Sequence, residues 1–263
     1  MVWIRSHRWL DNRLINTILA SLKPACDDHS WPLGNWRIVN RVFSFWPVGC
    51  RLCGCASEQS IEICSVCRQA LPTIESACQR CAMELPSAVL ACGRCLKTDP
   101  AYDRSLAAWT YQNPVTGLIQ RFKFSGDLAA GRLLAELYAE HLESQLTGPR
   151  PELMIPVPLH WRRQWRRGFN QAELIARDLS GTLKIPWQSA LQRTRHTPTQ
   201  SELPARSRTG NVARAFRCRV NQVPKHVALI DDVMTTGATL NECARVVKRH
   251  GSQRVDIWVL ARA

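Results

Sequence analysis

No apolar run in the 263 residues reaches the roughly 18 that a membrane-spanning helix needs, so no transmembrane segment is expected. Acidic residues are scarce: 21 Asp and Glu stand against 35 Lys and Arg, a formal net charge of +14. That balance favours anionic partners, nucleic acid or phosphorylated metabolites, without choosing between them. The first 26 residues lack a continuous apolar stretch, because Arg5, Arg8, Asp11 and Arg13 interrupt it, and they do not read as a secretory signal. A secreted disulfide framework is then a poor fit, and the expectation is a reducing, cytoplasmic setting. The rest of the composition, 45% hydrophobic and 21% charged, is that of a globular chain with enough length to bury a core.

Cysteine is abundant and ordered. Of 12 cysteines, eight form the pairs Cys50/Cys53, Cys64/Cys67, Cys78/Cys81 and Cys92/Cys95, with ten residues between successive pairs. Two CxxC pairs complete one tetrahedral four-thiolate site, so two structural zinc ions are expected. With no open ligand position, neither zinc would activate water. Redox-active CxxC is the rival, but four repeats at one spacing exceed what thioredoxin-like chemistry uses. The spacing permits sequential pairing (Cys50, Cys53, Cys64 and Cys67 on one ion) or a cross-brace; shorter loops favour the sequential arrangement. Cys55 reads as a spectator, and Cys218 and Cys243 as buried packing.

The chain divides into three expected parts. Residues 1–47 carry scattered Trp and read as a disordered extension, an amphipathic surface helix or sequence upstream of the true start. Residues 48–100 hold the cysteine module. Residues 101–263 alternate strands and helices, which predicts an α/β fold with a mostly parallel sheet flanked by helices. Strands are expected at 105–111, 153–158, 227–230 and 255–260. Helices are expected at 114–124, 127–145 (capped by Asp127), 169–179 and 239–249. His141 reads as a packed residue, 160–168 as a basic loop, and 194–211 as a long polar loop with a function.

The segment that carries chemistry runs from His226 to Thr239. A buried strand delivers Asp231 and Asp232, a loop of Thr235, Thr236 and Gly237 follows, and a helix begins near Thr239. Ligands of open α/β sheets sit at the carboxyl ends of strands. A helix start offers free N–H groups and a favourable dipole to a phosphate. Gly237 lets the backbone approach closely, and the acids suit vicinal hydroxyls or hydrated Mg2+. The pattern describes a sugar-phosphate pocket. No Lys follows the Gly, which excludes a Walker A loop.

This segment, VALIDDVMTTGAT at 227–239, resembles the signature of type I phosphoribosyltransferases for phosphoribosyl pyrophosphate (PRPP). With the CxxC module, PVPLH at 156–160 and RRGFNQAE at 166–173 before it, the order resembles the ComF/GntX family, which is linked to competence and the use of external DNA. The resemblance covers about residues 48–263. It implies a type I phosphoribosyltransferase-like fold behind a zinc module, and a phosphoribosyl ligand held with Mg2+. Asp231 and Asp232 would contact the ribose hydroxyls as the catalytic acids. Within the PRPP segment, which includes Val233 and Met234, Thr235, Thr236, Gly237, Ala238 and Thr239 would hold the 5-phosphate. Val157, Pro158 and His160 would sit at the pyrophosphate loop. That loop lacks the Lys or Arg with Gly of many catalytic members, which argues against turnover unless Arg167 or its neighbours compensate. Arg195, Thr197, Gln200, Arg206 and Asn211 would belong to a flexible loop over PRPP.

Arg162, Arg163, Arg166 and Arg167 alternate with Trp161 and Trp165. The cluster reads as a single-stranded nucleic-acid contact, a pyrophosphate contact or a solvated basic face. Three functions compete: a phosphoribosyltransferase acting on an unnamed acceptor, a non-catalytic nucleic-acid adaptor of the DNA-uptake machinery, and a zinc-module partner protein.

Overall fold

Near-continuous apolar runs buried on both faces, VALI at 227–230 and IWVLA at 257–261, mark the heart of a parallel sheet. In the structure, a computed structural model, residues 49–57, 61–159, 165, 167–194 and 215–263 are described. The expectations for 1–47, for His160, Arg162, Arg163 and Arg166, and for Arg195, Thr197, Gln200, Arg206 and Asn211 lie outside those residues.

Two short helices, α1 (Ser65–Gln69) and α2 (Gly93–Thr98), each begin inside a CxxC pair. Then follow β1 (Arg104–Thr110), α3 (Val115–Phe124), α4 (Leu128–Gln145), β2 (Leu153–Pro156) and α5 (Gln171–Leu183). The chain continues with β3 (Leu191–Arg193), β4 (Phe216–Cys218), β5 (His226–Met234), α6 (Ala238–Arg249) and β6 (Arg254–Arg262). The main sheet has the order β1-β6-β5-β2, and every pairing in it is parallel. β3 and β4 pair separately and antiparallel, so the feet of the expected long loop are hydrogen-bonded to each other.

The period of two in the strands sorts the core into halves. Leu106, Ala108, Met154, Ala228, Ile230, Trp258 and Leu260 pack with α3, α4 and α5. Ala107, Ile155, Val227, Leu229, Ile257 and Val259 pack on the other face with α6 and β4. The expected architecture is thus present: a parallel sheet with flanking helices, behind a small cysteine module. Asp127 caps α4 by accepting from the Ala130 N–H at 3.0 Å, as its position implied. His141 is half-buried on α4 and stacks on Tyr138, and burial pushes its pKa down.

The cysteine module joins both halves of the core. Cys50, Ile63 and Leu71 pack with the α3–α4 side, whereas Cys78, Cys81 and Cys95 pack with the α6 side. Arg51, inside the first CxxC pair, reaches the capping Asp127 at 2.6 Å, and Arg68 of α1 pairs with Glu140 of α4.

Candidate functional site

The eight paired cysteines form two clusters in sequential order, Cys50/Cys53/Cys64/Cys67 and Cys78/Cys81/Cys92/Cys95. The sulfurs of each cluster lie within 4.8 Å of one another. Tetrahedral zinc with Zn–S near ~2.3 Å requires S···S separations of about 3.8 Å. The Cys53–Cys64, Cys81–Cys92 and Cys78–Cys95 contacts measure 3.7, 3.8 and 4.0 Å, so both clusters fit structural zinc. Of the remaining described cysteines, Cys243 is buried as read, whereas Cys218, also read as buried packing, is half-buried on β4 and donates to the Ala190 carbonyl; exposed Cys55 supplies its carbonyl to the Cys50 N–H.

At the other site, β5 is longer than the sequence implies. It runs through both acids to Met234, so Asp231 and Asp232 lie in the strand rather than beyond it. Consecutive strand residues face opposite ways. Asp232 accordingly meets Lys123 at the end of α3, Nζ to Oδ1 at 2.8 Å. Asp231 lies toward α6, where its charge acts on the buried Cys243 thiol. Desolvation, then the adjacent Asp232 carboxylate, push the Asp231 carboxyl up to about 7. The Asp232 N–H, which donates to Asp231 Oδ1 at 2.9 Å, opposes that rise, as do the charges of Lys123 and Arg193.

Beyond the acids, the loop is fixed by the second cysteine cluster. Gly237 is the N-cap of α6 at φ 76°, a left-handed conformation. A Cβ there would lie 2.7 Å from Met234 Cε and 3.1 Å from the Tyr102 hydroxyl. The glycine is therefore demanded by backbone and packing as well as by any approaching phosphate. Met234 is buried, and its carbonyl accepts from Arg262 Nη1 at 2.9 Å. Arg262 Nε also donates to the Cys81 carbonyl at 3.0 Å. Arg94, inside the last CxxC pair, donates from Nη2 to the Thr236 carbonyl at 2.7 Å. Asn241 of α6 accepts from the Ala101 N–H at 2.7 Å. Thr236 Oγ1 accepts from the Ala238 N–H at 3.4 Å, and Thr235 and Thr239 are half-exposed on the same turn.

The RGFNQ segment closes the site from the β2 side. Val157 continues the β2–β5 ladder, donating its N–H to the Ile230 carbonyl at 2.9 Å. Asn170, the N-cap of α5, accepts from the Ala172 N–H and donates to the Val157 carbonyl at 3.2 Å. Phe169 stacks on Phe122 of α3 with centroids 5.7 Å apart. Arg167 lies over the Phe124 ring at 5.0 Å and donates to Gln171 Oε1 at 3.1 Å. Trp165 is 86% exposed, and both Trp165 and Arg167 have helical backbone where the sequence suggested an irregular loop. Pro158 is half-buried beside Val157. Sequence reasoning missed Lys123, Phe124 and Arg94. The run Phe122-Lys-Phe at a helix end was the available sign for the first two. Arg94 had none, since its partner is 142 residues away.

A parallel sheet with an acid pair near the end of β5, a glycine-turned helix start and a double cysteine ribbon define a class of zinc-ribbon α/β protein. Residues 42–96 match the double zinc ribbon domain. The chain is 42% identical to competence protein F of Haemophilus influenzae over 175 residues, covering 64% of this chain and 76% of that one. It is 39% identical to the DNA utilization protein YhgH of Escherichia coli over 204 residues, covering 76% and 90%. Among solved structures, a purine phosphoribosyltransferase from Pyrococcus horikoshii is similar at 17% identity and a TM-score of 0.31, covering 51% of this chain and 82% of that one. This chain belongs to the competence protein F (ComF/GntX) family.

Proposed function

We propose that this protein binds PRPP or a related phosphoribosyl ligand with Mg2+ at the β5–α6 junction, and that it serves the uptake or use of DNA. One observation carries the first half: Asp231 and Asp232 lie in the last part of β5, which ends at Met234, and the turn at Gly237 follows it into the start of α6. Carboxylates there suit a ribose diol, and the helix start suits its phosphate. Mg2+ is ordinarily held by one or two carboxylates together with substrate phosphates, and this acid pair supplies such oxygens. If transfer occurs, Mg2+ and nearby cations would neutralise the departing pyrophosphate. The second half is supported by the names of the relatives, competence protein F and DNA utilization protein YhgH.

Calorimetric titration with PRPP and Mg2+, followed by an assay for released pyrophosphate, tests both binding and turnover. A charge-assisted contact contributes ~1.5–3 kcal/mol, so Asp232→Ala is expected to weaken binding roughly 10- to 150-fold. Asp232→Asn, which retains the shape, should also weaken it. Parent-like affinity in both variants would remove the acid pair from the ligand site.

A second reading is a non-catalytic adaptor for single-stranded nucleic acid. It is favoured by one observation, the outward indole of Trp165 two residues from Arg167. Binding would then fall with salt, and Trp165→Ala would weaken it without altering the salt slope.

A further inference from the structure

The two cysteine clusters share their spacing but not their exposure. In each, the second ligand of one CxxC pair lies beside the first ligand of the next. Cys53 Sγ is 3.7 Å from Cys64 Sγ, and Cys81 Sγ is 3.8 Å from Cys92 Sγ. Distance therefore treats the clusters alike, and burial separates them. Cys53 is exposed and Cys64 and Cys67 are half-buried, whereas Cys78, Cys81 and Cys95 are all buried. A thiolate that a small oxidant can reach is oxidised before one that packing covers. The more exposed cluster is also tied to the helices. Arg51, between Cys50 and Cys53 in sequence, donates to Asp127 Oδ1 at 2.6 Å, and the same oxygen accepts the Ala130 N–H at the start of α4. Arg121 of α3 donates to the Arg51 carbonyl at 3.2 Å and to Asp127 Oδ2 at 2.6 Å.

We propose that the first cysteine cluster is a reversible oxidation site for hydrogen peroxide, at which Cys53 and Cys64 form a disulfide, the zinc is given up and the Arg51 brace on α4 is released. The Cys53 thiolate attacks one peroxide oxygen, the O–O bond breaks, and Cys53 becomes a sulfenic acid as hydroxide leaves. The Cys64 thiolate then attacks the Cys53 sulfur; the S–S bond forms and the S–O bond breaks, releasing a second hydroxide. Two thiolates have lost one electron each, the peroxide has taken both, and the two hydroxides take protons from solvent. Cys50 and Cys67 alone do not complete a four-thiolate set, so the site loses its hold on the metal. A dithiol reductant restores both thiolates by exchange, and the site can reload. The second cluster packs into the α6 side of the core, so the Arg94 brace on the Gly237 loop survives the same exposure.

The test is treatment of the intact zinc-loaded protein with hydrogen peroxide. Released zinc is followed with a colorimetric chelator, and disulfides are mapped by mass spectrometry after alkylation of free thiols. The first zinc is expected to appear about tenfold faster than the second, since a covered sulfur reacts only through local opening. The first disulfide should join Cys53 to Cys64, and dithiothreitol with added zinc should restore the starting metal content. Amide exchange at Ala130 should quicken by about 1.5- to 5-fold as the Arg51–Asp127 pair is lost, the range for a partly exposed ion pair. In Arg51→Ala, exchange at Ala130 should already be fast before oxidation and change little after it. Release of both zincs at one rate, a first disulfide in the second cluster, or a loss of zinc that the reductant does not reverse would overturn the oxidation site. An Ala130 amide indifferent to oxidation would overturn the coupling through Arg51.

Discussion

Asp231 is a carboxyl whose surroundings decide when it can hold a charge. Desolvation and the Asp232 carboxylate raise it to about 7. Well below pH ~4, the ordinary carboxyl value, it is protonated in folded and unfolded chains alike and costs nothing. As pH climbs to about 7, the unfolded chain releases the proton while the folded chain retains it, so stability falls through that window and levels off above it. A ligand that uses the ionised pair should gain affinity across the same upper edge. PRPP–Mg2+ affinity is expected to rise between about pH 6 and about pH 8, and Asp231→Asn should flatten the profile. A variant that keeps the parental pH profile would show that Asp231 is not the titrating group. At this scale the sequence was legible where chemistry and position coincide, as in the acid pair and the Asp127 cap. It was silent on Lys123, because an ion pair between α3 and β5 has no spacing signature. Gly237 was legible as necessary, but for part of its reason only: the Met234 and Tyr102 contacts are tertiary.

The elements were found by periodicity and misjudged at their ends. α3, α4 and α6 carry apolar stripes at helical spacing, and their bounds depart from expectation by a residue at most. β5 was cut short because charge was taken as its end, whereas the parallel ladder to β6 pairs Asp231 with Val259 and continues to Met234. β3 and β4 are three residues each, too short for a period to register. The α3–α4 contact supports a prediction whose sign runs against helix propensity. Ala in place of Gly within a helix normally stabilises by about 1 kcal/mol. At Gly131 of α4 the new Cβ would lie 2.5 Å from the Phe122 ring. Overpacking of that kind costs about 1–3 kcal/mol. Gly131→Ala is expected to lower the melting temperature, and adding Phe122→Leu should recover part of the loss. A rise in melting temperature for the single variant would mean that the helices can move apart freely.

At the scale of the whole molecule, the double ribbon is divided between the two faces of the sheet. The cysteine count announced two zinc sites, and loop length favoured the pairing that the structure has. How the ribbon docks was not legible, since Arg51, Arg94 and Arg262 belong to no motif and find their partners far along the chain. Elemental analysis is expected to give two zinc ions per chain. Cys92→Ser should weaken PRPP binding by more than Cys64→Ser does, since only the second cluster packs beside the loop at Gly237. Equal effects would mean that the ribbon supports the fold without shaping the ligand loop.

The Arg94–Thr236 bond also sets an order of assembly. A chain made from its N-terminus folds its early segments first. The second cysteine cluster is complete at Cys95, long before Thr236 is synthesised. The brace thus exists, metal permitting, before the loop that it will hold. Protein made while zinc is scarce would reach Thr236 before the brace at Arg94 is built, and its ligand loop would emerge unsupported.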